Sequence, residues 1–385
     1  NSVNICRLRL WIELLKNAYY TKESGYKQLQ TLPNIDINIK VGDSLLSKYP
    51  VQNGRLIADY LTRDERADRK RDSLKNSLIE YRQLVQEYKT GKSQSSKMML
   101  RQKIAGIKSR MVEDVQIEMF DEYKGSAGDT IDFSNSLEWM FEFPEILDGE
   151  GRFTGFDAII GNPPYIQLQS NNSLLGNLYE QRNYNTFFKQ GDLYCLFIER
   201  AHSLLRNNGE FGFIVPNTWL QSFSFSPLRL FLTSYFRWNQ IALTHKVFAD
   251  ATVDTHCLLF TKSKEQKDCE ICRISEDGKI SKLHTIKKDV ITQTGNVINI
   301  EANQESLLLI EKLKECSKPL TEYLNVYNGV KPFEKGKGTP AQTKQIVEEK
   351  PYVKEGDKPG EEWSPLMRGS LMHRYTNLWN ENYWI

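Results

Sequence analysis

The residues in this chain best suited to chemistry are Asn162-Pro163-Pro164-Tyr165. An exocyclic amine on a heteroaromatic ring is a weak nucleophile, because its lone pair is delocalised into the ring. Two acceptors fixed in one turn can each take an amine hydrogen, draw the nitrogen toward tetrahedral geometry and aim its lone pair at a methyl donor. The Asn162 side-chain oxygen and the Pro163 carbonyl supply such a pair. Pro163 and Pro164 narrow the backbone and remove competing N–H donors. Tyr165 adds a flat face on which an extruded base can stack, offsetting part of the few kcal/mol that flipping costs. In isolation the four residues also suit an ordinary turn. Their position argues for more, because ligands of α/β proteins gather at strand carboxyl ends. Here the turn directly follows Phe156-Asp157-Ala158-Ile159-Ile160, an apolar run that reads as a strand buried on both faces of a largely parallel sheet.

The elements around the turn follow the same logic. Ile5, Leu8, Trp11, Ile12 and Leu15 recur at helical spacing, which predicts a first helix over residues 4–18 with one face against a sheet. Ile35, Ile37, Ile39 and Val41 alternate with polar residues before Gly42-Asp43-Ser44, which predicts a strand with Asp43 at its carboxyl end. Asp192 is placed to cap a helix running to Leu205 and stopped by Gly209. Phe211–Val215 reads as a second buried strand ended by Pro216-Asn217, and Leu228–Phe236 as a helix. Ile241–Val247 and Thr255–Thr261 then read as two strands joined by a loop. This order predicts an α/β, doubly wound fold. Residues 61–115 differ in texture, with 14 Arg and Lys against 8 Asp and Glu and a polar break at residues 90–96. They read as a helical hairpin, either a solvated insertion or an arm that contacts phosphates.

Composition sets the outer bounds. With 385 residues the chain can bury more than one core, and no apolar run approaches the roughly 20 residues that span a bilayer, so no membrane role is expected. The net charge of +2 argues neither for nor against a nucleic-acid partner. Six scattered cysteines without a signal peptide suggest a reducing, cytoplasmic setting. Cys269 and Cys272 alone look paired, but His256 and His284 lie at unhelpful distances for a zinc site, and two thiols in a strand or hairpin is the better reading. No metal is expected.

Taken together, these motifs resemble the class I amino-methyltransferases that use S-adenosyl-L-methionine, specifically the adenine-N6 DNA methylases with an N-P-P-Y signature. The resemblance covers most of the chain. It makes Asn162, Pro163, Pro164 and Tyr165 the catalytic turn. It makes Asp43, within Ile39–Leu45, the residue that accepts from the cofactor's adenine amine. Leu193 and Tyr194, within Gly191-Asp192-Leu193-Tyr194, become lining for the cofactor's adenine pocket, and Gly209–Leu220 resembles the next motif of the family. Phe248, within Val247–Thr255, becomes a second stacking partner for the flipped base. The long basic hairpin, with sequence continuing past Phe248, resembles the large Type IIG restriction-modification methylases and their phage-defence relatives. Tyr327–Lys331 and Leu366–Gly369 resemble the opening of a target-recognition domain.

The resemblance therefore implies a Rossmann-like methyltransferase sheet incomplete at its N-terminal side. The catalytic core would occupy residues 1–60 and 119–265, a helical insertion 61–118, a connecting region 266–318 and the start of target recognition 319–385. Double-stranded DNA is the implied partner. The family's glycine-rich and acidic cofactor motifs have no counterpart in this sequence, so the chain alone is expected to bind S-adenosylmethionine weakly and to be inactive unaided. Glu348-Glu349-Lys350 has part of a nuclease pattern but no accompanying Asp between residues 289 and 348. The competing readings are a DNA-binding specificity module with a non-catalytic methylase core, and an RNA or protein-glutamine methyltransferase.

Overall fold

The computed structural model describes residues 2–27, 29, 38–47, 51, 67–90, 96–114, 135–180, 182–244, 254–293, 297–300, 304–325, 329–330, 332–336, 338–374 and 376–385. The chain divides into two compact units, Asn1–Ser306 and Leu307–Ile385.

The first unit is built on a six-stranded sheet of order β1-β2-β4-β3-β5-β6. Its strands are β1 (Phe156–Gly161), β2 (Leu205–Pro216), β3 (Phe236–Leu243), β4 (Thr255–Lys262), β5 (Cys269–Ile274) and β6 (Ile280–Ile286). β1 runs parallel to β2, and β3 parallel to β5. β4 lies antiparallel between β2 and β3, and β6 is antiparallel to β5. The sheet is thus mixed rather than largely parallel, with β4 antiparallel to both of its neighbours and β6 antiparallel to β5.

Two helices cover the β1–β2–β3 crossovers. α6 (Leu193–Leu204) leads into β2, and α7 (Ser226–Tyr235) leads from β2 to β3. Asp192 occupies the position before α6 but makes no side-chain capping bond; its backbone carbonyl accepts from Cys195 instead. Gly209 sits inside β2, where a β-carbon would lie 2.9 Å from the Arg206 carbonyl and 3.1 Å from that of Phe156, so a larger residue would separate β1 from β2. The core beneath the helices is aromatic. Phe211, Trp219, Phe231, Phe236, Trp238 and Phe260 are all buried, with Trp238 stacked on Phe260 at 5.0 Å. Cys269 and Cys272 lie buried on β5 as free thiols, as the strand reading predicts.

A second core belongs to the hairpin of α2 (Ala67–Thr90) and α3 (Lys97–Asp114). Leu74, Leu78, Tyr81, Val85 and Tyr88 form a seam that alternates steps of four and three residues. Leu100, Ile104, Ile107 and Met111 continue the same rhythm on α3. Both seams close over Met140 and Phe141 of the short α4 (Trp139–Glu142) and over Leu147 and Phe153, which lead into β1. The insertion is therefore packed onto the approach to the N-P-P-Y turn.

Three further expectations fail. α1 (Ser2–Lys16) forms as a helix but buries no residue: Leu8 is 60% exposed, and of its apolar stripe Trp11 is half-buried with the Lys97 ammonium 5.8 Å from its ring centre. The strand at Ile35–Val41 is absent where it is described: Asn38–Val41 are not in a strand, and Asp43 makes a single bridge to Ser136. Ile35 and Ile37 lie outside the described residues. β1 is an edge strand with Ile160 92% exposed, since no further strand pairs with its outer side among the described residues.

In the second unit, Lys354–Glu355 pair antiparallel with Tyr383–Trp384. Trp384 is buried against Trp379, and the Arg368 guanidinium lies 3.5 Å from the centre of the Tyr383 ring.

Two histidines of the first unit give the fold a defined acid response. Burial among Phe231, Tyr235 and Phe236, reinforced by Lys262 and Lys264, pushes His202 down to about 3. Burial likewise pushes His256 down to about 4, against a small opposing effect of Asp254. Above the ordinary histidine value of about 6.5 both states are neutral and neither group contributes. As pH falls below it, the unfolded chain takes up protons that the fold refuses, and each histidine costs about 1.4 kcal/mol per pH unit until its folded value is reached. Urea unfolding at pH 7 and pH 4.5 should therefore show a loss that is about 2 kcal/mol smaller in His202→Phe than in the wild type. An equal loss in both proteins would contradict this assignment.

Candidate active site

The N-P-P-Y turn leaves the carboxyl end of β1 and is clamped on both sides. Gly161 immediately precedes it, and a β-carbon there would come within 2.8 Å of the buried Phe213 ring, so only glycine lets β1 close onto β2 at this point. Asn162 and Pro164 are exposed, Pro163 is buried and Tyr165 is half-buried. The Tyr165 hydroxyl donates to the Ile214 carbonyl of β2 at 3.0 Å, and its ring meets that of Tyr194 edge-on at 6.4 Å. Beyond the turn, the Leu193 amide donates to Ile166 at 2.8 Å and the Leu168 amide to Gly191 at 3.0 Å. Two prolines, a ring anchored on β2 and a short ladder to the start of α6 leave the acceptors little freedom.

Asp43 is held as firmly. One carboxylate oxygen accepts from the Leu45 amide at 2.9 Å and the Leu46 amide at 3.3 Å, so the side chain folds back over its own turn. The other accepts from the Tyr179 hydroxyl of α5 (Ser170–Glu180) at 2.9 Å. Burial and the adjacent carboxylate push the Tyr179 phenol well up, so it stays a donor. The Leu45 carbonyl in turn accepts from Tyr184 and from Arg200 of α6, both at 2.8 Å. Leu45, Leu46, Leu168, Tyr179, Leu193 and Leu196 form one apolar cluster around this turn.

The structure thus brings Asp43 and Leu193 into one neighbourhood, joined through Leu168 to the N-P-P-Y turn. An acidic acceptor beside apolar side chains suits an adenine ring that carries an amine. Tyr194 is fully buried, stacked on Phe225 at 5.6 Å and edge-on to Tyr165 at 6.4 Å. Phe248 lies outside the described residues. Tyr179, Tyr184, Arg200 and Gly161 escape a reading of the sequence. The partners of Tyr179 and Arg200 lie 136 and 155 positions away, and no periodicity links them. Among the described residues no group of acidic, cysteine or histidine side chains could hold a metal ion, and no helix is long and apolar enough to cross a membrane.

Comparison with known proteins gives this arrangement its context. Residues 1–248 match the Eco57I restriction-modification methylase family. The chain belongs to that family. Its relatives include RM.MjaORFECS2P of Methanocaldococcus jannaschii, named as a candidate type II restriction enzyme and methyltransferase, which is 26% identical over 83% of this chain and 30% of its own length. RM.Eco57I of Escherichia coli, a type II restriction enzyme and methyltransferase, is 36% identical over 29% of this chain and 12% of its own. Among solved structures, the type IIG restriction endonuclease BpuSI is similar at 15% identity and a TM-score of 0.33, over 41% of this chain and 22% of that one. The chain thus spans under a third of the length of each of these proteins. The sheet of its first unit has six strands, parallel and antiparallel mixed.

Two substitutions test the clamps. Tyr179→Phe removes a bond to a charged acceptor and should lower stability by about 1–3 kcal/mol in urea unfolding; unchanged stability would show that the bond contributes nothing. Gly161→Ala forces the Phe213 ring aside and should cost about 1–3 kcal/mol, a loss that Phe213→Leu in the same chain should partly restore.

Proposed function

We propose that this chain carries the target-amine side of an adenine-N6 DNA methyltransferase in a restriction-modification or phage-defence system. The observation that supports it most is the clamped N-P-P-Y turn, two acceptors fixed at the carboxyl end of β1 beside a half-buried aromatic face. Membership of a restriction-modification methylase family supports DNA as the substrate.

S-adenosylmethionine, when bound, supplies an electrophilic methyl group. Asp43 would accept from the amine of its adenine, with Leu193 against the ring. Asn162 and the Pro163 carbonyl would each take one hydrogen of the target amine, localising the nitrogen lone pair for in-line attack. Tyr165 would stack on the extruded base, with Phe248 as the proposed second face. The Ile214 bond keeps the Tyr165 ring from following the base, and Tyr194 keeps it from tilting away. The acceptors are uncharged, so they orient the amine without protonating it.

The test is methyl incorporation into duplex DNA by the whole protein. Asn162→Ala should lower the rate by at least about 100-fold with DNA affinity retained. Tyr165→Phe, which keeps the face and loses the anchor, should act more weakly than Tyr165→Ala. Undiminished methylation by Asn162→Ala would overturn the assignment.

A further inference from the structure

A second concavity lies at the carboxyl end of β2, beyond the residues assigned above. It encloses about 350 Å³ between the turn that follows β2 and the segment at Ile298, with His256 of β4 in its wall. Such a volume lies within the roughly 300–1,000 Å³ of small-molecule sites. The wall is rigid. The Arg229 guanidinium, itself 1% exposed, donates to the Trp219 and Ser222 carbonyls at 2.7 Å each, and the Ile298 amide donates to Leu220 at 2.9 Å. Asn217 is fixed through its amide to the Asp254 carbonyl at 2.9 Å.

The His256 imidazole is 6% exposed and its Nδ1 has no hydrogen-bond partner among the described residues. An unpaired buried polar atom costs about 1–3 kcal/mol unless something answers it. Around it stand the amides of Asn217 and Gln221 and the hydroxyls of Thr218 and Ser222, while Leu220 and Ile298 supply apolar surface. No Arg, Lys, Asp or Glu lines the pocket among the described residues, and burial keeps His256 itself neutral. A phosphate or any other ion would find no counter-charge here. An uncharged, flat heterocycle with donors and acceptors on its edge would find amides for the edge and apolar side chains for the face.

The site adjoins the proposed catalytic turn. Thr218 neighbours Tyr194, which packs edge-on against Tyr165. β2 carries the anchor of Tyr165 at Ile214 and ends at Pro216, directly before the Asn217 of this pocket. We propose that the pocket is a second nucleobase site, in which His256, Asn217 and Gln221 hold the edge of an unpaired base of the DNA whose adenine is presented at Asn162. The inference rests on the DNA reading above for the source of that base.

The test uses protein labelled with 15N in its histidine rings, titrated separately with the four free deoxynucleosides and with inorganic phosphate. At least one nucleoside should shift the His256 ring resonances in a saturable way, and phosphate should not. Asn217→Leu should weaken that binding about tenfold, with its fold verified by thermal melting, and Asn162→Ala should leave it unchanged. No shift with any nucleoside, an equal shift with phosphate, or full binding in a folded Asn217→Leu would overturn the proposal. Methylated DNA without nucleoside binding at His256 would refute the pocket alone. Binding at His256 without DNA methylation by the whole protein would refute the catalytic reading alone.

Discussion

The hydrogen bond from the Tyr165 hydroxyl to the Ile214 carbonyl, at 3.0 Å, is the contact on which the rest of the site depends. It joins a turn at the end of one strand to the last stretch of its neighbour, two residues before β2 ends, and so converts strand pairing into side-chain position. That pairing needs Gly161 to clear Phe213 and Gly209 to clear the Phe156 carbonyl. The aromatic core under α6 and α7 then keeps β2 where the bond requires it. A weak nucleophile can be activated by two neutral acceptors only if those acceptors do not move with it. The structure meets that demand with covalent stiffness in Pro163 and Pro164 and with anchors on either side of them.

The Asp43 turn is built by the same means. Its carboxylate is oriented by two amides of its own chain and by one phenol from α5, and its neighbouring carbonyl is gripped by Tyr184 and Arg200. Leu168 belongs to the apolar cluster around this turn and also exchanges a backbone bond with Gly191, just before α6. A shift of α6 would therefore disturb the Asp43 turn and the N-P-P-Y turn together. The α2–α3 hairpin adds a third support, because its seam packs on the residues that lead into β1.

Much of this frame was legible in the sequence. β1 and β2 are announced by short apolar runs, α6 by its inward apolar residues and the hairpin helices by their charge balance and polar break, and the N-P-P-Y turn stands at the end of its strand. What the sequence concealed is relational. Ile160 looks like the middle of a sheet, yet its exposure depends on which strands lie beside it, and among the described residues β1 is an edge. Leu8 and its companions predict a helix correctly but say nothing of what covers it. Tyr194 reads as lining for a ligand, and what the sequence does not reveal is that its buried ring also packs edge-on against Tyr165. The grip of Tyr179 on Asp43 joins residues far apart in the chain, and the emptiness beside His256 is a property of three segments at once.

The central claim is that the clamped acceptors select an exocyclic amine of adenine. The most direct measurement is the identity of the product: duplex DNA methylated by the whole protein, digested to nucleosides and resolved by mass spectrometry. The account predicts N6-methyldeoxyadenosine as the methylated nucleoside. Methyl found on carbon 5 of deoxycytidine, where no amine is presented, would contradict it.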